Sequence, residues 1–227
     1  MTFFDTLQRS TEKERNSLLA IPFIKAGSAG NLSLESYVAF LSQAYHHVKH
    51  TVPLLMACGG RLPERFEWLR GAIGEYIEEE MGHQEWILND IRQCGHDAEA
   101  VRHGTPSFET EMMVAYAYDT IQRDNPIGFF GMVQVLEGTS IAVATHAAEN
   151  LQRRLKLPKN AFSYLFSHGS LDIGHIHFFK TLMNRVTDKS DQDAILHRAK
   201  CFYRLYGDIF RALPLHHPRQ EIQHEVA

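Results

Sequence analysis

Three short stretches of the sequence combine carboxylate and imidazole side chains at helical spacing. The first is FSHGSLDIGHIHFF, residues 166–179, where His168, Asp172 and His175 fall within an arc of about 60° on a helix. By the same geometry His177 lies about 180° from His168, so we assign it to the opposite face. The surrounding residues are apolar, and a buried aspartate is costly unless it is paired or bound to a metal. The stretch predicts either a wall of metal ligands or a hydrogen-bonded pair that joins helices.

The second stretch, IEEEMGHQEW at residues 77–86, places Glu80 and His83 three positions apart. Residues at this spacing share a helix face, and dimetal carboxylate bundles use it to bring one carboxylate and one imidazole to the same ion. Glu79, four positions before His83, is a rival for the same role. Acidic runs on helices are more often solvated faces, so this stretch alone leaves both interpretations open.

The third stretch, FFGMVQVLEGTSIAVATHA at residues 129–147, contains one charged residue, Glu137. Such isolation among apolar and small residues is hard to explain at a protein surface. An unpaired buried glutamate would be protonated, whereas a metal ion would use it as a bridging carboxylate. His146 lies about 180° from Glu137 on an ideal helix, so we do not group the two residues.

Together the stretches supply three carboxylates and three imidazoles, enough to hold two divalent metal ions: Glu80, His83, Glu137, His168, Asp172 and His175. Imidazole and carboxylate together suit iron, manganese or zinc. A histidine that binds a metal usually donates its second ring N–H to an outer partner, that is, a carboxylate, carbonyl or water outside the ligand set. Glu79, Asp90 and Asp119 are candidates for that role. The alternative interpretation is a polar network that packs helices together without a metal.

A further histidine cluster, YHHVKHT at residues 45–51, has no carboxylate on the same turn and is a weaker metal signal. Partly buried polar residues are the simpler interpretation. The other is a substrate cavity, for which we name His47, His50 and Tyr118 as candidate lining residues.

The elements that position these residues are predicted to be helices. Long segments with a period of 3.6 residues are broken by short Pro, Gly and Asp signals, which indicates an all-α protein. We expect a seven- to eight-helix bundle with sites between facing helices, and a single domain over 1–213 followed by a flexible polar tail over 214–227. The predicted helices span residues 2–20, 33–57, 63–94, 97–102, 107–123, 125–156, 160–186 and 188–212.

Composition excludes several classes of protein. The 227 residues carry a net charge of −4 and no basic run, which argues against nucleic acid and membrane surfaces as partners. We find no signal-peptide pattern and expect no apolar run long enough to cross a bilayer. The three cysteines are widely spaced and form no CxxC motif, so we expect reduced thiols and a cytoplasmic protein.

The sequence resembles the heme-oxygenase-like diiron oxidases and oxygenases of the TenA/PqqC-like superfamily. Three motifs carry the resemblance in this order: an E-x2-H pair, an isolated E in an LEG context and an H-x3-D-x2-H run. The resemblance covers about residues 10–212. It implies a heme-oxygenase-like fold, often a homodimer, and the six residues named above as metal ligands. It also implies two non-heme iron ions, with manganese as an alternative at one or both sites, that activate dioxygen to oxidise a small organic substrate.

The sequence lacks features that two related groups of proteins require. TenA-type thiaminases use a nucleophilic cysteine in the middle of the chain, and none lies between Cys94 and Cys201. Heme oxygenases need a glycine-rich distal helix, for which Gly169 and Gly174 are too few. The sequence therefore predicts a non-heme dimetal oxidoreductase whose catalytic residues beyond the ligands are unassigned. The alternative is a TenA/PqqC-like protein without a metal, namely a cofactorless oxidase, a hydrolase or a ligand-binding protein.

Overall fold

Helices make up most of residues 1–218, the part of the chain that this computed structural model describes; for 169–173 it describes the backbone alone. No strand occurs within that part, so the predicted all-α class is confirmed. The helices are α1 Phe3–Ser10, α2 Glu12–Leu19, α3 Pro22–Ser28, α4 Leu34–Val48, α5 Thr51–Arg61, α6 Glu67–Glu80, α7 His83–Gln93, α8 Ala98–Arg102, α9 Phe108–Arg123, α10 Phe130–Leu155, α11 Ser163–Arg185 and α12 Lys189–Ala212. Short 3₁₀ turns precede α6, α10 and α11.

Several helix starts follow directly from the sequence. Ser33, Ser107 and Asp188 precede α4, α9 and α12, and each side chain accepts a hydrogen bond from a backbone amide in the first turn. Such caps satisfy amides that have no partner inside the helix. The polar residue before each apolar-periodic segment therefore marks its beginning correctly.

Three predicted helices are each divided in two, those over residues 2–20, 33–57 and 63–94. The third division separates α6 from α7. Met81 has an extended backbone there, and Gly82 has a φ of 93°. Only glycine adopts this left-handed region without a steric penalty, so Gly82 permits the chain to change direction. The apolar period continues across the break, which is why periodicity predicts one continuous helix.

The longest helix, α10, packs against α3, α11 and α12. Its first turn passes very close to α12, because a Cβ atom at Gly131 would lie 2.5 Å from the backbone nitrogen of Ala199. With the preceding turn, Pro126–Leu155 is long and apolar enough to cross a membrane, so the expectation that no apolar run has that length is wrong. The most apolar 18-residue stretch of this segment is 61% buried inside the helical core, and that burial accounts for its composition.

The chain after α12 returns to the beginning of α4. The hydroxyl of Ser36 donates to the carbonyl of Pro214 at 2.7 Å, and the amide of Ser33 donates to the carbonyl of His216 at 2.8 Å. The tail predicted to start at residue 214 thus begins with a segment that is bound to the fold. Residues 219–227 lie outside the described residues.

Candidate metal centre

Glu80 and His83 lie on the two sides of the break between α6 and α7. Glu80 is the last residue of α6 and His83 the first of α7. Nδ1 of His83 is 3.0 Å from Oε2 of Glu80, and their side chains are 2% and 13% exposed. The approach does not have the alignment of a hydrogen bond. Two ligand atoms that converge in this way are suited to sharing one cation.

His168 completes a cluster with this pair. One ligand atom from each of Glu80, His83 and His168 lies within 4.8 Å of the other two. Nδ1 of His168 is 3.0 Å from the carbonyl oxygen of Tyr164, a contact of the kind that orients metal-binding histidines. Burial raises the pKa of Glu80, but the neighbouring imidazoles of His83, His168 and His175 outweigh it and hold that pKa below its usual value.

Glu79 pairs with the second histidine of α11. Its Oε2 is 2.8 Å from Nε2 of His175, whose side chain is 9% exposed. The ring of Tyr76 packs edge-on against His175, with the centroids 5.9 Å apart. The two adjacent acids at the end of α6 therefore lie beside different histidines of α11, Glu80 beside His168 and Glu79 beside His175.

Glu137 is buried on α10, with 8% of its surface exposed, and faces the cavity that Glu80 and His168 also line. Its carboxylate is close enough to Tyr76 to add to the effect of burial, which raises the pKa of that phenol. Glu137 thus lies beside Tyr76 and in the same cavity as Glu80 and His168. The side chain of Asp172 is outside the described residues, although its backbone lies in α11 between the two histidines.

The cavity at the cluster has a volume of about 90 Å³. Aromatic and aliphatic side chains complete its wall, among them Tyr76, Phe129, Met132 and Tyr206. Tyr76 is not among the residues predicted from the sequence, although it lies three and four positions before the two acids and therefore on their helix face. Such apolar walls around a few polar groups are typical of small-molecule sites.

Of the candidate substrate residues, His47 alone lines this cavity. Burial, with smaller effects from His168 and His50, lowers the pKa of His47 to about 3, so its imidazole is neutral at physiological pH. Its Nδ1 is buried without a hydrogen-bond partner. His50 and Tyr118 do not line the cavity, because α4 ends at Val48 and the two residues contact each other at 3.2 Å instead.

Asp90 does not contact a histidine of the cluster; it caps α11 from α7. The completely buried carboxylate accepts hydrogen bonds from the amide of Ser163 at 3.0 Å, its hydroxyl at 2.6 Å and the amide of Tyr164 at 2.9 Å. Asp90 thereby ties the helix that begins with His83 to the helix that carries His168. Asp119, another of the three candidate outer partners, instead pairs with Arg123 at the surface.

None of the three cysteines lines the cavity. Burial raises the pKa of both Cys58 and Cys94 to about 12, which keeps these thiols protonated and unreactive. Cys201 lies on α12, where its sulfur is 3.7 Å from His197. Among the described residues, the site therefore offers no thiolate nucleophile of the kind that TenA-type hydrolysis requires.

Solved structures with similar folds span nearly the whole chain. A domain of unknown function with a heme oxygenase-like fold from Shewanella denitrificans is 22% identical, with a TM-score of 0.82 over 92% of this chain and 90% of that one. A TenA homologue from P. horikoshii is 12% identical, with a TM-score of 0.77 over 93% and 97%. The heme oxygenase of Leptospira interrogans is 18% identical, with a TM-score of 0.71 over 94% and 100%. At these identities the likeness establishes the fold alone.

Sequence comparison adds the family. No curated protein matches the chain. The model of a family described as iron-containing redox enzymes matches residues 38–207, which include all the residues of the cluster. With the heme-oxygenase-like fold, this match over most of the chain shows that the protein belongs to the family of iron-containing redox enzymes.

Proposed function

We propose that this protein is a non-heme diiron oxidoreductase that uses dioxygen to oxidise a small organic substrate. The observation that carries the proposal is the convergence of Glu80, His83 and His168 within 4.8 Å in a largely buried site. Carboxylate and imidazole ligands that leave positions open are the set that non-heme iron enzymes use to bind and activate dioxygen. The family supports iron as the metal, and manganese remains the alternative at either position.

The described side chains divide into two groups of ligands. Glu80, His83 and His168 would hold one ion, and Glu79 and His175 a second. Asp172, whose side chain lies outside the described residues, is proposed as a further ligand on its sequence spacing alone, four positions after His168 and three before His175. Glu137 would lie between the two ions as the shared carboxylate, since it faces the same cavity from α10.

The donor set fits non-heme iron better than heme. Heme iron is held by one or two axial side chains, most often a histidine. Heme would leave the carboxylates of Glu80 and Glu137 in a low-dielectric core with no metal charge beside them, which is costly. The cavity of about 90 Å³ is also far smaller than the pockets that enclose large ligands.

The other residues of the cavity would bind and orient the substrate. Neutral His47 lines the cavity and has a buried Nδ1 without a hydrogen-bond partner, so it is suited to bind a polar substrate group without adding charge. The rings of Tyr76, Phe129 and Tyr206 line the cavity and exclude water from it. Exclusion of water strengthens the electrostatic interactions of the carboxylates and protects reactive species from side reactions.

Metal stoichiometry tests the proposed ligands without an activity assay. After anaerobic loading with ferrous iron and removal of weakly bound metal, we expect two iron ions per chain by elemental analysis. Glu80→Gln removes a ligand charge at nearly constant volume and should lower that number. Glu78→Gln, an exposed position on the same helix, is the matched control and should bind iron as the unaltered protein does.

Thermal unfolding supplies a second readout of the same loading. A ligand that binds only the folded state stabilises it by about 2.7 kcal/mol when its free concentration is 100 times its Kd. The melting temperature should therefore rise on loading, and rise less in Glu80→Gln. Less than one tightly held ion per chain together with an unchanged melting temperature would contradict the proposed function.

Asp90→Asn tests whether the cap on α11 positions His168. We expect the substitution to weaken ferrous iron binding by roughly tenfold or more, the size of effect seen when an outer partner of a metal ligand is lost. The measurement is competition with a chelator on folded protein. Loss of hydrogen bonds to a charged group should also lower the free energy of unfolding by about 1.5–3 kcal/mol.

Asp191→Asn is the matched control for this variant. Asp191 is 1% exposed and accepts hydrogen bonds from Arg65 and Asn125 at the start of α12, but it does not line the cavity. This variant should lose comparable stability and keep its iron affinity. Equal loss of iron affinity in the two variants would show that Asp90 acts through stability alone.

The neutral state of His47 predicts a dependence of stability on pH. The pKa of His47 is about 3 in the folded protein and near 6.5 when unfolded, so the unfolded state binds more protons between these values. The contribution of His47 to the free energy of unfolding is complete above pH 6.5 and is lost as the pH falls, by about 1.4 kcal/mol per pH unit. In His47→Gln, the free energy of unfolding measured with urea between pH 4 and pH 6 should therefore depend less steeply on pH, by that amount per unit. An unchanged slope would mean that His47 is protonated in the folded protein.

A further inference from the structure

A second cavity adjoins the metal cavity. It has a volume of about 80 Å³ and shares four wall residues with its neighbour, namely Ser140, Tyr164, His168 and Tyr206. The rest of its wall comes from α3, α4, α10, α11, α12 and the segments beside them. A ligand at the iron ligands could therefore extend past His168 into this second space.

The wall of the second cavity is apolar. Outside the shared residues it carries no charged side chain, and its aromatic members are Phe23, Tyr37, Phe40 and Phe210. Two of its hydroxyl groups are already used within the protein, since Thr139 donates to the carbonyl of Val135 at 2.6 Å and Tyr37 to that of Ala161 at 2.9 Å. A charged ligand group would lose its hydration here without compensation, so the cavity selects uncharged, apolar groups.

Small residues keep this space open. Ala144 and Ala147 lie one turn apart on α10 and face the cavity, and Gly27 faces it from α3. Protein interiors are otherwise close-packed, and an unfilled cavity destabilises the core around it. Open, apolar space directly beside a cluster of ligand-type side chains is therefore suited to binding a ligand.

We infer that the second cavity binds an uncharged hydrocarbon part of the substrate, an alkyl chain or an aryl group, while the polar part lies at the iron ligands and His47. That this ligand is the substrate of an oxidoreductase rests on the proposed function. An apolar channel that serves only dioxygen is the competing assignment, and it predicts no dependence on the length of a bound hydrocarbon.

Binding of straight-chain primary alcohols to the metal-free protein tests this inference. Calorimetry from butanol to decanol should show affinity rising about fourfold for each methylene group that leaves water, followed by a plateau when the cavity is full. Ala144→Leu and Ala147→Leu fill the space from α10 and should each move the plateau to a shorter alcohol. Ala142→Leu, at an exposed position on the same helix, should keep the unaltered series.

The two leucine variants are independent, so one of them suffices if the other does not fold. Affinity that does not depend on chain length would overturn the inference, and so would a plateau that the folded cavity variants leave unchanged. Xenon in the cavity of pressurised crystals, without alcohol binding, would assign the space to dioxygen and overturn it as well. Because these titrations contain no metal, a failed iron-loading experiment and a failed alcohol series remain distinguishable.

Discussion

Buried carboxylates beside imidazoles are the constraint on which the site depends. Glu80 and Glu137 are largely removed from water inside a helical core, where an isolated charge would be expensive. The core accommodates them by collecting histidines from other helices around the same cavity, and the effect of those imidazoles on Glu80 exceeds that of burial. A pair of cations would stabilise this arrangement further, and the membership of an iron-containing redox family agrees with that chemistry.

One backbone turn and one side-chain cap bring the ligand-type side chains together. The left-handed residue Gly82 ends α6 immediately after its two acids and lets α7 begin with His83. Asp90, about two turns further along α7, accepts hydrogen bonds from the first two amides of α11 and so fixes the start of the helix that carries His168. The apolar space that adjoins the cluster depends on the same helices. The ligand-type side chains and the apolar space are therefore parts of one packing arrangement.

Much of this arrangement could be predicted from the sequence where the signal is local. Helical phase places His168 and His175 on one face, and isolation in an apolar segment identifies Glu137 as buried. Helical phase gives no guidance where a helix breaks. The apolar period runs through Gly82 without interruption, so the sequence does not predict which histidine lies beside Glu79 and which beside Glu80. A break before His50 likewise removes it from the face that His47 occupies. The cap by Asp90 joins residues 73 positions apart, and no local pattern encodes such a contact.

Diffraction from crystals grown anaerobically with ferrous iron tests the central claim most directly. Anomalous scattering measured at the iron absorption edge locates the metal independently of any model of the side chains. The account predicts two iron peaks, one bounded by Glu80, His83 and His168 and the other beside Glu79 and His175, with Glu137 between them. Crystals with no iron peak at this cluster, or with iron only at the surface, would contradict it.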